Sequence, residues 1–526
     1  MATAGVFTLT NADARFDEPL YAYQELIRRL QDVVRQRTRE RQEAWARGGR
    51  EGPPPAPQAP ELKDVDASHR LFLHDVYRPF VPVASEYVAV RPQGDSRFLG
   101  QGPQTLTFAL PATGTFISDL VLHIRLEGVG DPTATAPSTT APYLRYCAYP
   151  GLRLVERVVL RSDRVVIDEY TRDDAVFYMK YAVPVDRRAG WDRCMGQQEV
   201  QQSASFANGY TQYTYYGSGA QTPKLAQPAL DLLIPLQFWF CRDPSRALFG
   251  DLMPATQRTV EVTLAPLGVL LAAAVPGSQS AELVPAALPF DRLRYTPTLY
   301  VDTLWVTPDI HAIFASRIRF DLIRVHKQQV SRIVLPQTEL LLNQVRFPTE
   351  YIMLGARALA TAASFDQWYL MGASQDHTDP ASRLYVPAYV WNAAVAAPQL
   401  VVREALETGT LRNMMAGVNL TVETISMYPP GPPPKFFNAY LPLRYDLNRL
   451  ITPLDEAVYM FLFCLLPRDL DTSGHLNLSS ARNARLLYQL DPEFEPLLDA
   501  SEWVVSASCL NFLLVRGDHA ALVYSI

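Results

Sequence analysis

The feature that most restricts the fold of this chain is a series of short apolar runs, rich in β-branched and aromatic residues, that recurs from residue 105 onwards. Runs of this length and composition are typical of β-strands. The 42 prolines among 526 residues favour loop-rich β structure over a helical bundle. We expect strands at residues 105–110, 119–126, 153–160, 164–170, 230–240 and 259–264, and then at 298–306, 317–326, 350–359, 419–427, 457–466, 484–490, 502–515 and 521–526.

Each half of the chain therefore offers about eight strands, a number that fits an antiparallel jelly roll. The predicted fold is all-β, with two tandem eight-stranded antiparallel jelly rolls, short helices in the loops and an N-terminal helical arm. The expected boundaries are 1–67 for the arm, 68–297 for the first jelly roll and 298–526 for the second. Residues 266–297 show only weak patterning, and we expect a long loop there at the end of the first jelly roll.

Several local signals refine this prediction. Arg161-Ser162-Asp163 separates two strand-like runs and indicates a hairpin. The segment 171–183 is predicted to be a helix with Thr171 as its N-cap and Asp174 three residues later. A second short helix is expected after Thr307, with Pro308 at its first position. The nearly all-apolar segment 230–240 suits a strand that is buried on both faces.

The N-terminal arm differs from the rest of the chain. A helix is expected over about 19–47, because Tyr23, Ile27, Leu30 and Val34 fall on one helical face. The region 21–50 carries a local excess of positive charge, and the proline-rich residues 52–60 indicate a stiff spacer. A solvated terminal helix, an arm that docks on another protein or an anionic membrane, and a nucleic-acid contact all remain open.

Composition excludes several classes of protein. The net charge of −6 argues against a chain devoted to nucleic-acid binding. The cysteines are scattered without any CxxC spacing, so neither a disulfide framework nor a zinc site is indicated. The N-terminus lacks the pattern of a signal peptide, and the longest apolar stretch, 264–276, is shorter than the roughly 20 residues that span a bilayer. We therefore expect a soluble intracellular product.

The sequence offers no motif for catalysis. It lacks a P-loop, a GxSxG elbow and an HExxH motif. The glycine-rich 217–222 is expected to be a turn. The segment 469–474 resembles the start of a calcium loop, but Ser480 stands where that loop needs an acidic residue. We therefore expect no catalytic, cofactor-binding or metal-binding residues, and a protein that is not an enzyme.

Other polar residues also have structural interpretations. His123 and His326 lie within predicted strands and are expected to be core or interface residues, while His311 and His475 have no carboxylate or cysteine partner close in sequence. Asp168 and Glu169 are adjacent on a strand, so they point to opposite faces and are expected to form structural salt bridges. The tyrosine-rich 210–216 is expected to pack in a loop or at a subunit interface.

Several stretches resemble the major capsid proteins of asfarviruses, within the nucleocytoplasmic large DNA viruses. These stretches are 78–92, 146–158 with 167–170, 221–230 with 238–240, 467–482 and 504–514, and most specifically LYVDTLWVTPDIHAIFASRIRFDLIRVHKQQV at 299–330. They run in order along the whole chain. The chain departs from the family between Val200 and Gln221, where it is compact and asfarvirus proteins carry a long insertion.

The resemblance implies a double jelly roll that forms a homotrimer of pseudo-hexagonal outline, and an icosahedral shell tiled by neighbouring capsomers. It also implies that the arm lies inside the shell, near minor capsid proteins and the inner membrane, with no direct nucleic-acid contact. The expected location is the virion, with assembly in the host cytoplasm or viral factory. The alternatives are a minor jelly-roll or penton component and, in a different class, an intracellular β-sandwich enzyme or carbohydrate-binding module.

Overall fold

The computed structural model describes the chain from Val83 to residue 522, with internal gaps, and scattered positions between Asp32 and Arg47. The gaps are 95–96, 112–113, 164, 198–201, 208–209, 216–218, 251–257, 277–282, 316–318, 366, 374–386, 393–396, 405–411, 424, 429–431, 446–449, 454, 480, 482 and 517–518. The described arm positions are all helical and exposed. The predicted apolar face at Tyr23–Val34 and the spacer 52–60 lie outside the described residues.

The strands of the N-terminal half follow the β-branched runs of the sequence. In chain order they are β1 (Val83–Val90), β2 (Phe98–Leu99), β3 (Gln104–Ala109), β4 (Phe116–Leu126), β5 (Val129–Gly130), β6 (Tyr143–Tyr146), β7 (Val155–Ser162), β8 (Val165–Thr171), β9 (Gln202–Ala207), β10 (Tyr210–Tyr215), β11 (Ala226–Gln227), β12 (Leu230–Pro235), β13 (Leu248–Phe249), β14 (Arg258–Leu264), β15 (Leu271–Pro276), β16 (Leu283–Ala286) and β17 (Leu293–Val306).

The C-terminal half repeats this pattern with fewer strands. In chain order they are β18 (Arg319–Arg332), β19 (Gln337–Leu341), β20 (Pro348–Ala358), β21 (Pro387–Asn392), β22 (Ala397–Glu404), β23 (Met415–Val422), β24 (Ile425–Ser426), β25 (Val458–Leu462), β26 (Leu476–Asn477), β27 (Ala484–Leu490), β28 (Ser501–Arg516) and β29 (His519–Leu522).

Helices occupy the connections between strands. The α-helices are α1 (Pro150–Leu154), α2 (Arg172–Ala182), α3 (Arg188–Cys194), α4 (Leu267–Leu270), α5 (Pro308–Ala315), α6 (Leu359–Ala363) and α7 (Leu441–Tyr445). A π-helix, Phe436–Tyr440, runs directly into α7, and 3₁₀ turns cover Val185–Arg187, Trp239–Cys241, Pro244–Arg246 and Pro492–Leu497. The predicted helices at 171–183 and after Thr307 are confirmed as α2 and α5.

The two halves have the same strand order. In the first half, one sheet runs β1-β17-β4-β12 and the other β3-β14-β7-β8. In the second half, the sheets run β18-β28-β20-β25 and β19-β27-β23-β24. When the eight main strands of each half are counted along the chain, both halves read 1-8-3-6 and 2-7-4-5. This is the strand order of a jelly roll, so the prediction of two tandem jelly rolls is confirmed.

Three smaller sheets are built from the connections of the jelly rolls. The sheet β21-β22-β10-β9 joins a hairpin from each half, since β10 pairs with β22 from Thr211↔Glu404 to Tyr215↔Leu400. The others are β16-β15-β6 and the two-stranded β11-β5. The tyrosine-rich segment 210–216 therefore lies largely on β10, at a strand pairing between the two halves of the chain.

Two local predictions were wrong. The expected long loop at 266–297 contains α4, β15, β16 and the start of β17. Three of the six residues of β15 are alanine, which gives no strand-like pattern in sequence, but Leu271–Ala274 are buried where β15 pairs with β6 and β16. The expected strand at 230–240 ends at Pro235, and β12 alternates between buried and less buried residues instead of being buried on both faces.

The predicted boundary between residues 297 and 298 falls within β17. This strand pairs with β1, β2 and β4, all from the N-terminal half. We therefore propose that the first jelly roll extends through β17 and that the second begins with β18.

Two compact units divide the chain. The larger unit comprises Tyr87–Thr303 and Ile313–Ile526 and contains nearly all of both jelly rolls; the smaller includes Val83–Glu86 and Leu304–Ala312. Within the larger unit, the buried residues of both jelly rolls form one continuous hydrophobic core.

Candidate functional site

Charged side chains are buried where the two jelly rolls meet. Strand β8 and helix α2 of the first jelly roll contribute Asp168, Asp173, Asp174 and Lys180, all buried, and each contacts a residue of the second half. Burial of charge is costly unless each group is paired and hydrogen-bonded. We call this set of contacts the junction.

Asp168 binds His326 of β18 through two contacts. The carboxylate accepts the His326 backbone N–H at 2.8 Å and faces the ring Nδ1 at 3.1 Å. The other ring nitrogen, Nε2, lies 3.4 Å from a guanidinium nitrogen of Arg242. Because a carboxylate only accepts hydrogen bonds, Nδ1 is the donor in the contact with Asp168. The neighbouring Glu169 pairs instead with Arg157 on the exposed side of the strand. Both predictions, opposite faces for Asp168 and Glu169 and an interface role for His326, are confirmed.

Asp173 and Arg357 form the most completely paired contact of the junction. Arg357 donates to the two carboxylate oxygens of Asp173 at 2.7 and 3.2 Å. It also donates to Glu502 at 2.8 Å. Burial alone would lower the pKa of Arg357, but the two carboxylates outweigh this effect and raise it. One arginine from β20 thus links α2 of the first jelly roll to β28 of the second.

Asp174 both caps α2 and reaches the second jelly roll. It accepts the Thr171 backbone N–H at 2.8 Å and the Thr171 hydroxyl at 3.1 Å, which closes the start of the helix. It also accepts a hydrogen bond from Ser506 of β28. Burial raises the pKa of Asp174, and the charge of His326 and these hydrogen bonds oppose that rise. The helix cap is therefore part of the junction.

Lys180 lies at the other end of α2 and pairs with Asp455. Both side chains are buried, and the same carboxylate accepts the Met371 backbone N–H at 2.9 Å. Burial lowers the pKa of Lys180, and Asp455 acts in the opposite direction. Both ends of α2 thus contact the second jelly roll through buried polar groups. Separating the two sandwiches would leave these charges buried without their partners.

The junction covers one sheet face of the second jelly roll. Every residue of β20 except Met353 is buried, and residues 503–511 of β28 are all buried. One side of this sheet faces its own sandwich, and the other side faces α2 and β8 of the first jelly roll.

The corresponding sheet of the first jelly roll carries no helix like α2 among the described residues. Phe314 of α5 packs on Phe116 at the start of β4 at 5.1 Å, and the 3₁₀ turn Trp239–Cys241 also contacts β4. The outer-facing residues of β4 and β12 are half-buried or exposed and alternate with buried ones. On this outer face Tyr87 donates to Asp119 at 3.2 Å, His123 stacks on Tyr300 at 5.9 Å, and His123 contacts Asp231 at 3.0 Å. Leu233 lies opposite His123 in the strand register. We call this surface the open face; its residues are Tyr87, Asp119, His123, Asp231, Leu233 and Tyr300.

The remaining candidate residues are dispersed. Asp471 is exposed and contacts Arg246 at 3.4 Å, while Asp469 accepts the Leu470 backbone N–H. His311 lies in α5 and His475 directly precedes β26. Residues 219–222 form a turn, in which the Thr222 N–H bonds the Gly219 carbonyl.

Clusters of metal-binding side chains and helices able to span a membrane are both absent from the described residues. No group of three or more histidine, cysteine, aspartate or glutamate side chains in the described part of the chain could hold a metal ion. Within the same residues, no helix combines the length and the apolar character that crossing a bilayer requires.

Solved structures with this fold are capsid proteins, so the chain has the fold of a double jelly-roll capsid protein. The Faustovirus major capsid protein superposes with a TM-score of 0.69 at 24% identity, covering 92% of this chain and 98% of that one. The PBCV-1 protein VP54 superposes with a TM-score of 0.61 at 18% identity, covering 86% of this chain and 100% of that one. No protein-family model matches the chain.

The sequence relatives of this chain are capsid proteins of African swine fever virus. The chain is 24% identical to hexon protein p72 of African swine fever virus strain Badajoz 1971, and to the major capsid protein of isolate Kenya 1950, with full coverage of both chains in each case. The alignments span 665 residues against 526 here, which agrees with the expectation of a shorter chain. The predicted role, a major capsid protein of a large icosahedral DNA virus located in the virion shell, is confirmed by these relatives.

Proposed function

We propose that three copies of this chain form a homotrimeric capsomer of pseudo-hexagonal outline, and that such capsomers tile the viral shell. The observation that carries this proposal is the repeated strand order of the two jelly rolls, together with the buried junction that fixes one against the other. Three such chains around a three-fold axis present six similar sandwiches. A closed ring of this kind uses heterologous contacts, in which one patch meets a different patch on the neighbour.

We further propose that the chain acts without catalysis. The charged residues of the junction each have a partner of opposite charge or a hydrogen-bond partner. Asp174 and His326 line a cavity together with Ser506, but its volume of about 20 Å³ leaves room for little more than one water molecule. Their role in this proposal is to hold two sandwiches at a fixed angle within a shell that must resist deformation.

Imaging of the purified protein tests the capsomer. Negative-stain class averages should show three-fold particles with a hexagonal outline. A population made only of particles of the size of a single chain would contradict the proposal.

The N-terminal arm is proposed to contact minor capsid proteins and the inner membrane from the inside of the shell. Its local positive charge suits acidic partners. Deletion of residues 1–60 should leave the capsomer intact and impair shell assembly when the protein is expressed with the other virion components. Loss of the capsomer itself would contradict this role.

A further inference from the structure

The structure contains one complete example of how a jelly roll of this chain packs beside another. Helix α2, which lies between the fifth and sixth main strands of the first jelly roll, covers the outer face of β18-β28-β20 in the second. The first jelly roll presents the equivalent sheet, β1-β17-β4-β12, as the open face. The chain therefore has one sheet face with a helix on it and one equivalent face without such a helix in the described residues.

The second jelly roll has a helical segment at the equivalent place. Residues 436–445, the π-helix and α7, lie between its fifth and sixth main strands, β24 and β25. We call this segment the 436–445 helix. Its inner side is anchored, because Phe437 packs on Phe461 at 4.6 Å and Asn438 donates to the Glu456 carbonyl at 2.7 Å. In position along the chain, it is the counterpart of α2.

The outer side of the 436–445 helix is apolar and exposed. Tyr440 is 49% exposed and Leu443 is 70% exposed. Residues three apart on a helix are neighbours on its surface, so these two side chains form one patch. Tyr440 also stacks on Phe436 at 5.3 Å, which holds its ring in place. Large apolar side chains exposed together in this way mark an interaction surface.

We propose that the 436–445 helix of one copy docks on the open face of a second copy, repeating between chains the packing of α2 within the chain. This inference rests on the proposed homotrimer and identifies the two surfaces that build it. The helix and the open face are different patches, so the contact between two copies is heterologous. Such a pair still has one unoccupied helix and one unoccupied open face, until a further copy closes the ring. Three copies close the ring with alternating contacts within and between chains.

The two surfaces have matching chemistry. The open face exposes Tyr87 to 56% and Leu233 to 40%, which offers apolar contact to Tyr440 and Leu443. The segment 432–445 carries the exposed cations Lys435 and Arg444 and no acidic residue. Asp119 and Asp231 place carboxylates on the open face, where the exposed Arg125 lies opposite Asp231 in the strand register.

A matched pair of substitutions in the full-length chain tests the donor surface. Leu443→Asp places a charge in the proposed contact and should convert a particle of roughly 177 kDa into the 58.9 kDa chain, as measured by light scattering in line with size exclusion. Leu465→Asp is the control: Leu465 is 72% exposed but lies beyond the opposite end of β25. It should leave the particle mass unchanged. Tyr440→Ala should weaken the contact and make the particle dissociate on dilution.

A second variant tests the acceptor surface and the polarity of the contact. Leu233→Asp should also give the single chain. A mixture of Leu443→Asp and Leu233→Asp retains one intact helix and one intact open face on different chains, so it should form a heterodimer of roughly 118 kDa. A mixture that stays at 58.9 kDa would contradict a heterologous contact between these two surfaces.

The outcomes separate this inference from the proposed function. If Leu443→Asp and Tyr440→Ala remain trimeric and folded, as judged by far-ultraviolet circular dichroism, the 436–445 helix is not the contact, although the homotrimer stands. If Leu465→Asp dissociates as readily as Leu443→Asp, the effect is not specific to the 436–445 helix and the inference is overturned. If the unmodified chain is not trimeric, the proposed function itself fails.

Discussion

Asp173 and Arg357 are 184 residues apart in sequence, yet they form a buried ion pair with two hydrogen bonds between the jelly rolls. The sequence alone indicates that an acidic residue on a strand has a structural partner. It does not indicate which residue that partner is. Asp168 and Glu169 illustrate the limit. Strand alternation correctly predicts that they separate to opposite faces, whereas their partners, His326 and Arg157, follow only from the fold.

Removal of Arg357 should destabilise the chain strongly. Arg357→Met leaves Asp173 and Glu502 without their counter-ion in a buried site, and we expect a loss of about 3–5 kcal/mol in the free energy of unfolding. Urea denaturation followed by tryptophan fluorescence measures this loss. The control is Arg157→Met, which removes a solvent-exposed pair with Glu169 and should cost about 1 kcal/mol or less. Equal losses in the two variants would contradict the importance of the buried junction.

The cysteines should differ in reactivity. Burial raises the pKa of Cys464 and of Cys509 to about 12, so their thiols stay protonated at pH 8. Cys194 is half-buried and should react first with a maleimide. Mass spectrometry after timed labelling gives the order, and labelling in urea provides the control in which all five react. Rapid labelling of Cys509 in the folded protein would refute the burial of β28.

At the level of secondary structure, alternating β-branched runs were the reliable signal. The predicted strand at 484–490 has the same bounds as β27, and the predicted hairpin at 161–163 turns through Asp163, whose φ is +53°. Prediction failed where tertiary contacts decide the structure. The alanines of β15 become a strand because β6 and β16 flank them. We propose that β17 belongs to the first jelly roll, because β1 and β4 are its neighbours. Neither pairing can be recognised from the local sequence.

The pairing of β5 with β11 depends on a glycine. Gly130 has φ of +104°, and an added Cβ would lie 2.2 Å from the Leu225 carbonyl oxygen and 2.9 Å from the Ala226 Cα. Both neighbours are backbone atoms, and displacing backbone atoms costs more free energy than moving the end of a flexible side chain. Gly130→Ala should therefore lower the melting temperature, with a cost of about 2–4 kcal/mol. The control is Gly100→Ala, where an added Cβ meets nothing within 4 Å, and it should leave stability nearly unchanged. Similar effects at both sites would argue against the close backbone packing at Gly130.

For the whole molecule, the buried tyrosines and cysteines set the response to alkaline pH. Burial raises the pKa of Tyr170, Tyr181 and Tyr459 well above 10, as it raises that of Cys464 and Cys509. Above about pH 9 the unfolded chain releases protons that the native state retains, so stability is lost as pH rises through this range. Burial also lowers the pKa of Lys180 and of Lys224, and these two groups act in the opposite direction against the five named above.

We therefore expect the urea midpoint to fall between pH 8 and pH 10.5. A Cys464→Ser, Cys509→Ser double variant should lose less stability over the same interval, because two of the responsible groups are gone. A midpoint that stays constant or rises with pH in the unmodified chain would contradict this explanation.

The proposed function depends on the assembly of three chains, each with two sandwiches, into a closed ring. Light scattering in line with size exclusion measures this directly on the purified full-length protein. We expect a single species of roughly 177 kDa, three times the mass of the 58.9 kDa chain. A stable, folded species of 58.9 kDa across the accessible concentration range would contradict it.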